Sequence, residues 1–240
     1  MIQDWQERTA LLIGEEALEK LASSHVLVVG LGGVGAYAAE QLCRAGIGKL
    51  TIIDGDKIES TNRNRQLPAL SSTTGRRKVS VMEERLKDIN PAVEIIGIDE
   101  FIKDDRMKEI LSSKYDYVVD AIDTLSPKVF LVRISLENGY KVVSSMGSGG
   151  KLDPEKIKIA DISKSYNCRL ARAMRKRLHR MGITKGFNVV FSPEDVPDSA
   201  VLSPDEEMEN QKSTVGTISY MPAIFGCVCA SVVIRDLTEG

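Results

Sequence analysis

The chain has 240 residues, which is enough for one large domain or for one domain with an appendage. Hydrophobic residues make up 42% and charged residues 28%, as in ordinary globular proteins. The formal net charge of -2 excludes a polycation that coats nucleic acid over its whole surface, so nucleic-acid contact would require a local basic patch.

The N-terminal segment is polar, and the sequence predicts no secretion signal and no stable membrane span. The most apolar stretch, residues 218–234, is interrupted by polar residues and a proline, so we expect a buried element there, with membrane contact as the alternative. The four cysteines form no CxxC pair, which argues against a structural zinc site. These features predict a cytoplasmic protein with reduced thiols.

The apolar pattern predicts alternating helices and strands. Helices are expected over about the first twenty residues and at 34–45, 78–89, 104–111 and 127–138. Strands are expected at 25–30, 50–54, 93–98, 117–121 and 141–145. This order predicts an α/β fold with a Rossmann-like, doubly wound and mostly parallel sheet. Residues 1–150 would form the nucleotide-binding domain, and 151–240 a substrate-side elaboration that is not independent, with a basic helix and an apolar C-terminal element.

A glycine-rich loop, GLGGVG at residues 30–35, lies between the first predicted strand and the next helix. In this context Gly30 permits a tight turn, Gly32 allows a phosphate to approach the backbone, and Gly35 allows the helix to pack closely on the strand. Asp54 follows Gly35 by nineteen positions and could accept hydrogen bonds from a ribose. The loop predicts a nucleotide site, but it suits NAD(P) or FAD as well as ATP.

The residues after Asp54 favour ATP. Cleavage of ATP between its α and β phosphates builds negative charge, which positioned cations offset. Arg65 and Lys78 are placed for that role, Asn62 could donate to the nucleotide, and Asp123 at a strand end could bind Mg²⁺. Each residue taken alone could equally belong to a solvated surface or a helix cap.

Five features in order resemble the ubiquitin-activating-like adenylyltransferases of the ThiF type. They are the glycine loop, Asp54 with Asp56, NRNRQ at 62–66, Gly75 with Lys78, and DAID at 120–123. The resemblance implies that ATP and Mg²⁺ are used. It implies catalytic roles for Arg8, Arg65, Lys78 and Asp123, with Asp123 binding Mg²⁺. It also implies nucleotide contacts from Gly30, Gly32, Gly33, Gly35, Asp54, Asp56, Asn62, Arg65, Gln66 and Lys78. Arg8 matches an arginine that reaches the partner subunit's ATP site, which implies a homodimer.

The C-terminal third departs from the sulfur-carrier activators in that family, because it has no CxxC zinc pairs and only Cys168 in the region of their crossover loop. Four stretches instead resemble the tRNA threonylcarbamoyladenosine dehydratase branch: 147–150, KLDP at 151–154, ADISK at 160–164 and STVGT at 213–217. That resemblance implies adenylation of the threonyl carboxylate of the modified adenosine in tRNA, followed by cyclising dehydration. A sulfur-relay protein is a further possible partner.

A basic stretch without Asp or Glu spans residues 162–193. Leu170, Met174, Leu178 and Met181 predict one apolar helix face, with the arginines on the others. We expect a tRNA-contacting surface formed by Arg169, Arg172, Arg175, Lys176, Arg177 and Arg180. The alternative is a solvated amphipathic helix.

Three other functions compete with this hypothesis. The adenylated group could be the C-terminal carboxylate of a ubiquitin-fold sulfur carrier. The protein could be an NAD(P) oxidoreductase, or an RNA-binding scaffold without the reaction.

Overall fold

The computed structural model describes residues 3–202 and 214–239. Ser213, the first residue of the STVGT motif, lies outside them. The helices are α1 Glu7–Ile13, α2 Glu15–Ser23, α3 Gly35–Ala45, α4 Lys78–Ile89, α5 Asp104–Leu111, α6 Leu125–Glu137, α7 Arg169–His179 and α8 Tyr220–Thr238. The strands are β1 His25–Val29, β2 Lys49–Ile53, β3 Glu94–Ile98, β4 Tyr117–Asp120, β5 Lys141–Ser145, β6 Lys158–Asp161, β7 Asn188–Phe191, β8 Val201–Leu202 and β9 Thr214–Val215.

The main sheet has seven strands in the order β3-β2-β1-β4-β5-β7-β6. All neighbours pair in parallel except β6 and β7, which are antiparallel. The doubly wound fold predicted from the sequence is therefore confirmed. Its topological switch point lies between β1 and β4, where ligands bind in open α/β sheets.

Helices cover both faces of this sheet because the buried strands are apolar on both faces. In β1, Val26 and Val28 face one core with α2, α3, α4 and α8, whereas Leu27 and Val29 face another with α5, α6 and α7. Successive side chains of the strand point to opposite faces of the sheet, and this alternation decides which helices each side chain contacts.

Two details of the chain order differ from the sequence prediction. The N-terminal helix is divided at Gly14, whose φ of 85° ends α1 before α2 begins. Strands β6 to β9 were not predicted. Strand β7 pairs with β5, and α8 packs between α3 and β5, so the described part of residues 151–239 shares a sheet and a core with the preceding residues.

Helix α8 is long and apolar enough to cross a membrane by length and composition alone. Phe225, Cys229, Val232 and Val233 on this helix are buried in the core that contains α3. Gly226 permits this packing, because a Cβ there would lie 2.3 Å from the Val34 carbonyl oxygen. The buried element predicted for 218–234 is thus a core helix.

Candidate nucleotide and substrate site

A cleft of about 1410 Å³ opens at the carboxyl ends of the central strands. It is lined by Gly30, Gly32 and Gly33 of the glycine loop, and it extends to Arg177 of α7. The loop is compact because Gly30 has a φ of 92° and lies against Ala121. A Cβ at Gly35 would lie 1.7 Å from the Gly30 carbonyl oxygen, so a side chain there would push α3 away from the strand.

The Asp54 carboxylate braces the glycine loop. Its Oδ2 accepts a hydrogen bond from the Leu31 amide at 2.6 Å, and its Oδ1 accepts one from the Asp56 amide at 2.8 Å. Burial raises the pKa of Asp54, while the nearby charge of Lys78 and these two amides act in the opposite direction. Asp54 lines the cleft, where a ribose contact remains a prediction.

Lys78 begins α4 and is only 4% exposed, yet it lines the cleft. Its Nζ lies 2.7 Å from Asp56 Oδ2 and 3.8 Å from Asp54 Oδ1. The two carboxylates therefore hold the ammonium group in place before any phosphate binds. The family resemblance implied a nucleotide contact for Asp56. In the structure Asp56 lines the cleft and is the ion-pair partner of Lys78.

The NRNRQ segment brings Arg65 and Gln66 to the cleft but not Asn62. Asn62 is buried, and its Oδ1 accepts a hydrogen bond from the Glu59 amide at 3.1 Å, so it braces the turn instead of lining the site. Arg65 Nη1 donates to the Thr61 carbonyl and to Asn64 Oδ1. Gln66 Oε1 is buried and has no hydrogen-bond partner among the described residues, which leaves an acceptor for a ligand.

Asp123 is exposed on the loop between β4 and α6 and lines the cleft. The preceding peptide is held by a buried ion pair that the sequence analysis missed. Lys128 Nζ lies 2.9 Å from Asp120 Oδ2 and donates to the Ile122 carbonyl at 3.1 Å. Asp120 Oδ1 accepts from the Ile122 amide at 3.1 Å, and Oδ2 accepts from Ser144 at 2.6 Å. The signal in the sequence was a lysine near the start of the helix that follows DAID.

Arg8 lies on α1, is exposed, and does not line the cleft. The same helix exposes 82% of Leu11 and 84% of Leu12. Both leucines face away from the described core. The two leucines give α1 an exposed apolar surface.

The basic residues of α7, together with Arg180 directly after it, lie in three different settings. Arg169, Arg172, Lys176 and Arg180 are exposed. Arg175 instead donates to both the backbone carbonyl and the hydroxyl of Ser165, so it supports the turn before the helix. Arg177 lines the cleft, and its Nη1 donates to Ser126 Oγ at 2.6 Å.

The apolar face of α7 is shorter than the sequence predicted. Ala171, Met174 and Leu178 are buried, but the helix ends at His179. Met181 lies beyond that end, is 48% exposed, and lines the cleft together with Leu170. The prediction that Met181 belongs to the apolar helix face was wrong, because it assumed that the helix continued beyond His179.

All four cysteines lie away from the cleft. Cys43, Cys168 and Cys229 are buried, and Cys227 is exposed on α8. Burial raises the pKa of Cys43 to about 11 and that of Cys229 to about 12, so neither thiol ionises near neutral pH. None of the four lines the cleft.

Comparison with known proteins agrees with this geometry. The ThiF family model matches residues 6–239. The chain belongs to the ThiF family. This ThiF-family chain is 38% identical over 239 residues to a tRNA threonylcarbamoyladenosine dehydratase of Bacillus subtilis, covering 97% of this chain and 94% of the relative. It is 44% identical over 233 residues to the Haemophilus influenzae enzyme of the same name, covering 93% and 89%.

A solved structure resembles the fold of this ThiF-family protein over its whole length. The Escherichia coli tRNA threonylcarbamoyladenosine dehydratase in complex with ATP superposes with a TM-score of 0.89 at 36% identity. The match covers 100% of this chain and 97% of that chain. The resemblance inferred from the sequence motifs is confirmed at the level of the family.

Proposed function

We propose that this protein is an ATP-dependent tRNA threonylcarbamoyladenosine dehydratase. The observation that carries the proposal is the cleft, which joins a glycine loop, Lys78, Arg65 and Asp123 to a rim formed by the basic helix α7. The full-length similarity to enzymes of that name supports it.

The reaction has two steps. An oxygen of the threonyl carboxylate attacks the α-phosphorus of ATP, and the bond to the β-phosphate breaks to release pyrophosphate. The modification's own nucleophile then attacks the acyl carbon, closing a ring and releasing AMP. The tRNA product has lost one water. The second step is intramolecular and has a high effective concentration, so it needs no enzyme thiol.

Lys78 and Arg65 supply positive charge where the phosphates would lie. The Lys78 ammonium is fixed between Asp54 and Asp56, so little reorganisation is needed when negative charge develops. Gln66 Oε1 offers its unused acceptor capacity to the nucleotide, and the glycine loop offers backbone amides.

Asp123 is the residue that would hold Mg²⁺. Its exposed carboxylate on the cleft wall is the type of ligand that this ion takes, and Mg²⁺ usually combines one or two carboxylates with substrate phosphates. The ion would supply charge neutralisation for the phosphates. Asp120 and Lys128 position Asp123 by hydrogen bonding to the residue before it. Asp120 accepts from the backbone N–H of Ile122, and Lys128 donates to the Ile122 carbonyl.

Apolar side chains also line the cleft, among them Ile102, Val129, Phe130 and Met146. They reduce the access of water to the reacting centre. Fewer waters near an acyl-adenylate would favour ring closure over hydrolysis.

The active form is a cytoplasmic homodimer in which Arg8 acts on the partner's site. The support is that Arg8 is exposed outside its own cleft and lies on the helix that exposes Leu11 and Leu12.

The test is AMP release from Mg·ATP with tRNA that carries threonylcarbamoyladenosine, compared with tRNA that lacks the modification. We expect AMP only with the modified tRNA, together with loss of one water from the nucleoside by mass spectrometry. AMP or pyrophosphate exchange that requires a ubiquitin-fold carrier and ignores tRNA would refute the proposal in favour of carrier activation. Bound NAD(P) or FAD in purified protein would instead favour an oxidoreductase.

A further inference from the structure

Helix α7 meets the cleft at Arg177. Of the six basic residues predicted to contact tRNA, Arg177 is the one that lines the cleft. Its bond to Ser126 anchors the guanidinium on the first turn of α6, three residues after Asp123. A guanidinium has several N–H donors, so one serine hydroxyl does not use up its capacity.

Two apolar side chains on the same wall accompany Arg177. Leu170 is half-buried, and Met181 is 48% exposed, although both types of residue are usually buried. Both line the cleft. A methionine and a guanidinium that line the same cleft offer a packing surface for a flat ring and a fork that matches two phosphate oxygens. That combination suits a nucleotide.

Basic residues continue along the surface beyond the cleft. Arg169, Arg172, Lys176 and Arg180 are exposed, and none forms an ion pair with any residue in the described ranges. An RNA backbone bound along this surface would reach the cleft at Arg177.

The cleft is also larger than one nucleotide requires. Its volume of about 1410 Å³ exceeds the roughly 300–1,000 Å³ of typical small-molecule sites. The glycine loop and Arg177 lie within the same continuous cavity. A second nucleotide could therefore bind beside ATP.

We propose that Arg177 binds a phosphate that flanks the modified nucleoside, while Leu170 and Met181 pack against the substrate base. Arg177 would thereby orient the threonyl carboxylate toward the α-phosphate from the tRNA side. This inference rests on the proposed function, which names the substrate nucleoside.

The experiment compares two small probes: the free threonylcarbamoyladenosine nucleoside, and a trinucleotide that carries it at the centre. Wild-type protein should bind the trinucleotide about 10- to 100-fold more tightly than the nucleoside, the scale of one charge-assisted hydrogen bond. Arg177→Ala should lose that difference and bind the nucleoside as wild type does. Arg177→Lys, which keeps the charge without the fork, should restore part of it.

Arg172→Ala is the matched contrast, because Arg172 lies on the same helix, is exposed, and does not line the cleft. We expect it to weaken binding of whole tRNA but to match wild type on the trinucleotide. Both variants should bind ATP as wild type does, which shows that the site is folded.

The inference is overturned if Arg177→Ala binds the trinucleotide like wild type, or if it weakens nucleoside, trinucleotide and ATP equally. A wild-type preference for the trinucleotide that depends on Arg177, without AMP release from modified tRNA, would support the subsite and refute the proposed function. The two hypotheses therefore fail separately.

Discussion

Lys128 and Asp120 form an ion pair whose nitrogen and oxygen atoms are 2.9 Å apart and whose side chains are both fully buried. A buried charge that loses its partner costs far more than an exposed one, because water cannot replace the lost contact. This pair lies directly behind the loop that carries Asp123, so it links the stability of the core to the geometry of the site.

We expect Lys128→Met to lower the free energy of unfolding by about 3–5 kcal/mol, the usual cost of breaking a buried pair from one side. Adding Asp120→Asn should recover part of this loss, because the uncompensated charge is removed. Urea unfolding of the two single variants and the double variant measures the coupling. Additive losses would show that the two side chains do not stabilise each other.

Lys78→Ala and Arg65→Ala should each reduce AMP formation by at least about a hundredfold, the scale for one transition-state donor. Arg63→Ala is the matched control, because Arg63 lies in the same NRNRQ segment, is exposed, and does not line the cleft. Single-turnover measurement with modified tRNA separates chemistry from product release. Near-normal turnover in both cleft variants would contradict the prediction that Lys78 and Arg65 contact the ATP phosphates.

Asp123→Asn should lower the rate and raise the Mg²⁺ concentration needed for half-maximal activity, because a neutral amide binds this hard cation more weakly. The measurement is AMP formation titrated with Mg²⁺. High Mg²⁺ should partly rescue the variant. An unchanged Mg²⁺ midpoint would argue that Asp123 acts in another way.

The role of Arg8 across a dimer can be tested by complementation. Arg8→Ala and Lys78→Ala should each be inactive as homodimers, but a mixed dimer keeps one complete site if Arg8 acts in trans. Co-expression in equal amounts should then restore about a quarter of wild-type activity, since half of the dimers are mixed and each has one working site. Activity no greater than that of the separate variants would place Arg8 in its own protomer's site or in neither.

Glu40 predicts an acid-dependent loss of stability. Burial acts to raise its pKa, but hydrogen bonds from Arg85 at 2.5 Å and Arg44 at 2.9 Å outweigh burial, so the pKa of Glu40 lies below its usual value of 4.5. Because the folded-state pKa is depressed, this stabilisation is present above pH 4.5 and is lost as the pH falls through the lower folded value.

Glu40→Gln should therefore lower the free energy of unfolding by about 1 kcal/mol at neutral pH and flatten its fall between about pH 5 and the folded-state pKa. Urea unfolding at a series of pH values measures this. Glu16→Gln is the matched control, since its pair with Lys20 is exposed at the surface. Parallel pH curves for wild type and Glu40→Gln would contradict the assignment.

The sequence predicted best those site residues whose positions follow from the neighbouring strand and helix. Gly30, Gly35 and Asp54 are set by their positions between a strand and a helix. Gly30 and Asp54 line the cleft, and Gly35 lets α3 pack closely on the strand. The sequence did not show that Asn62 bonds within its own turn, because a motif does not reveal whether a side chain turns outward to a ligand or inward. Arg175 and Met181 show the same limit, since local contacts and the helix end decide where they point.

The sequence by itself determined the α/β alternation, the glycine loop and the family, because strand and helix periods and a short phosphate-binding motif are local properties. Only the tertiary structure revealed that Lys128 pairs with Asp120, that Asp56 holds Lys78, and that Arg177 alone of the predicted tRNA contacts lines the described cleft. These relationships join residues from different strands, loops and helices. Their distances follow from how the helices pack on the sheet, and no pattern along the chain encodes that packing directly.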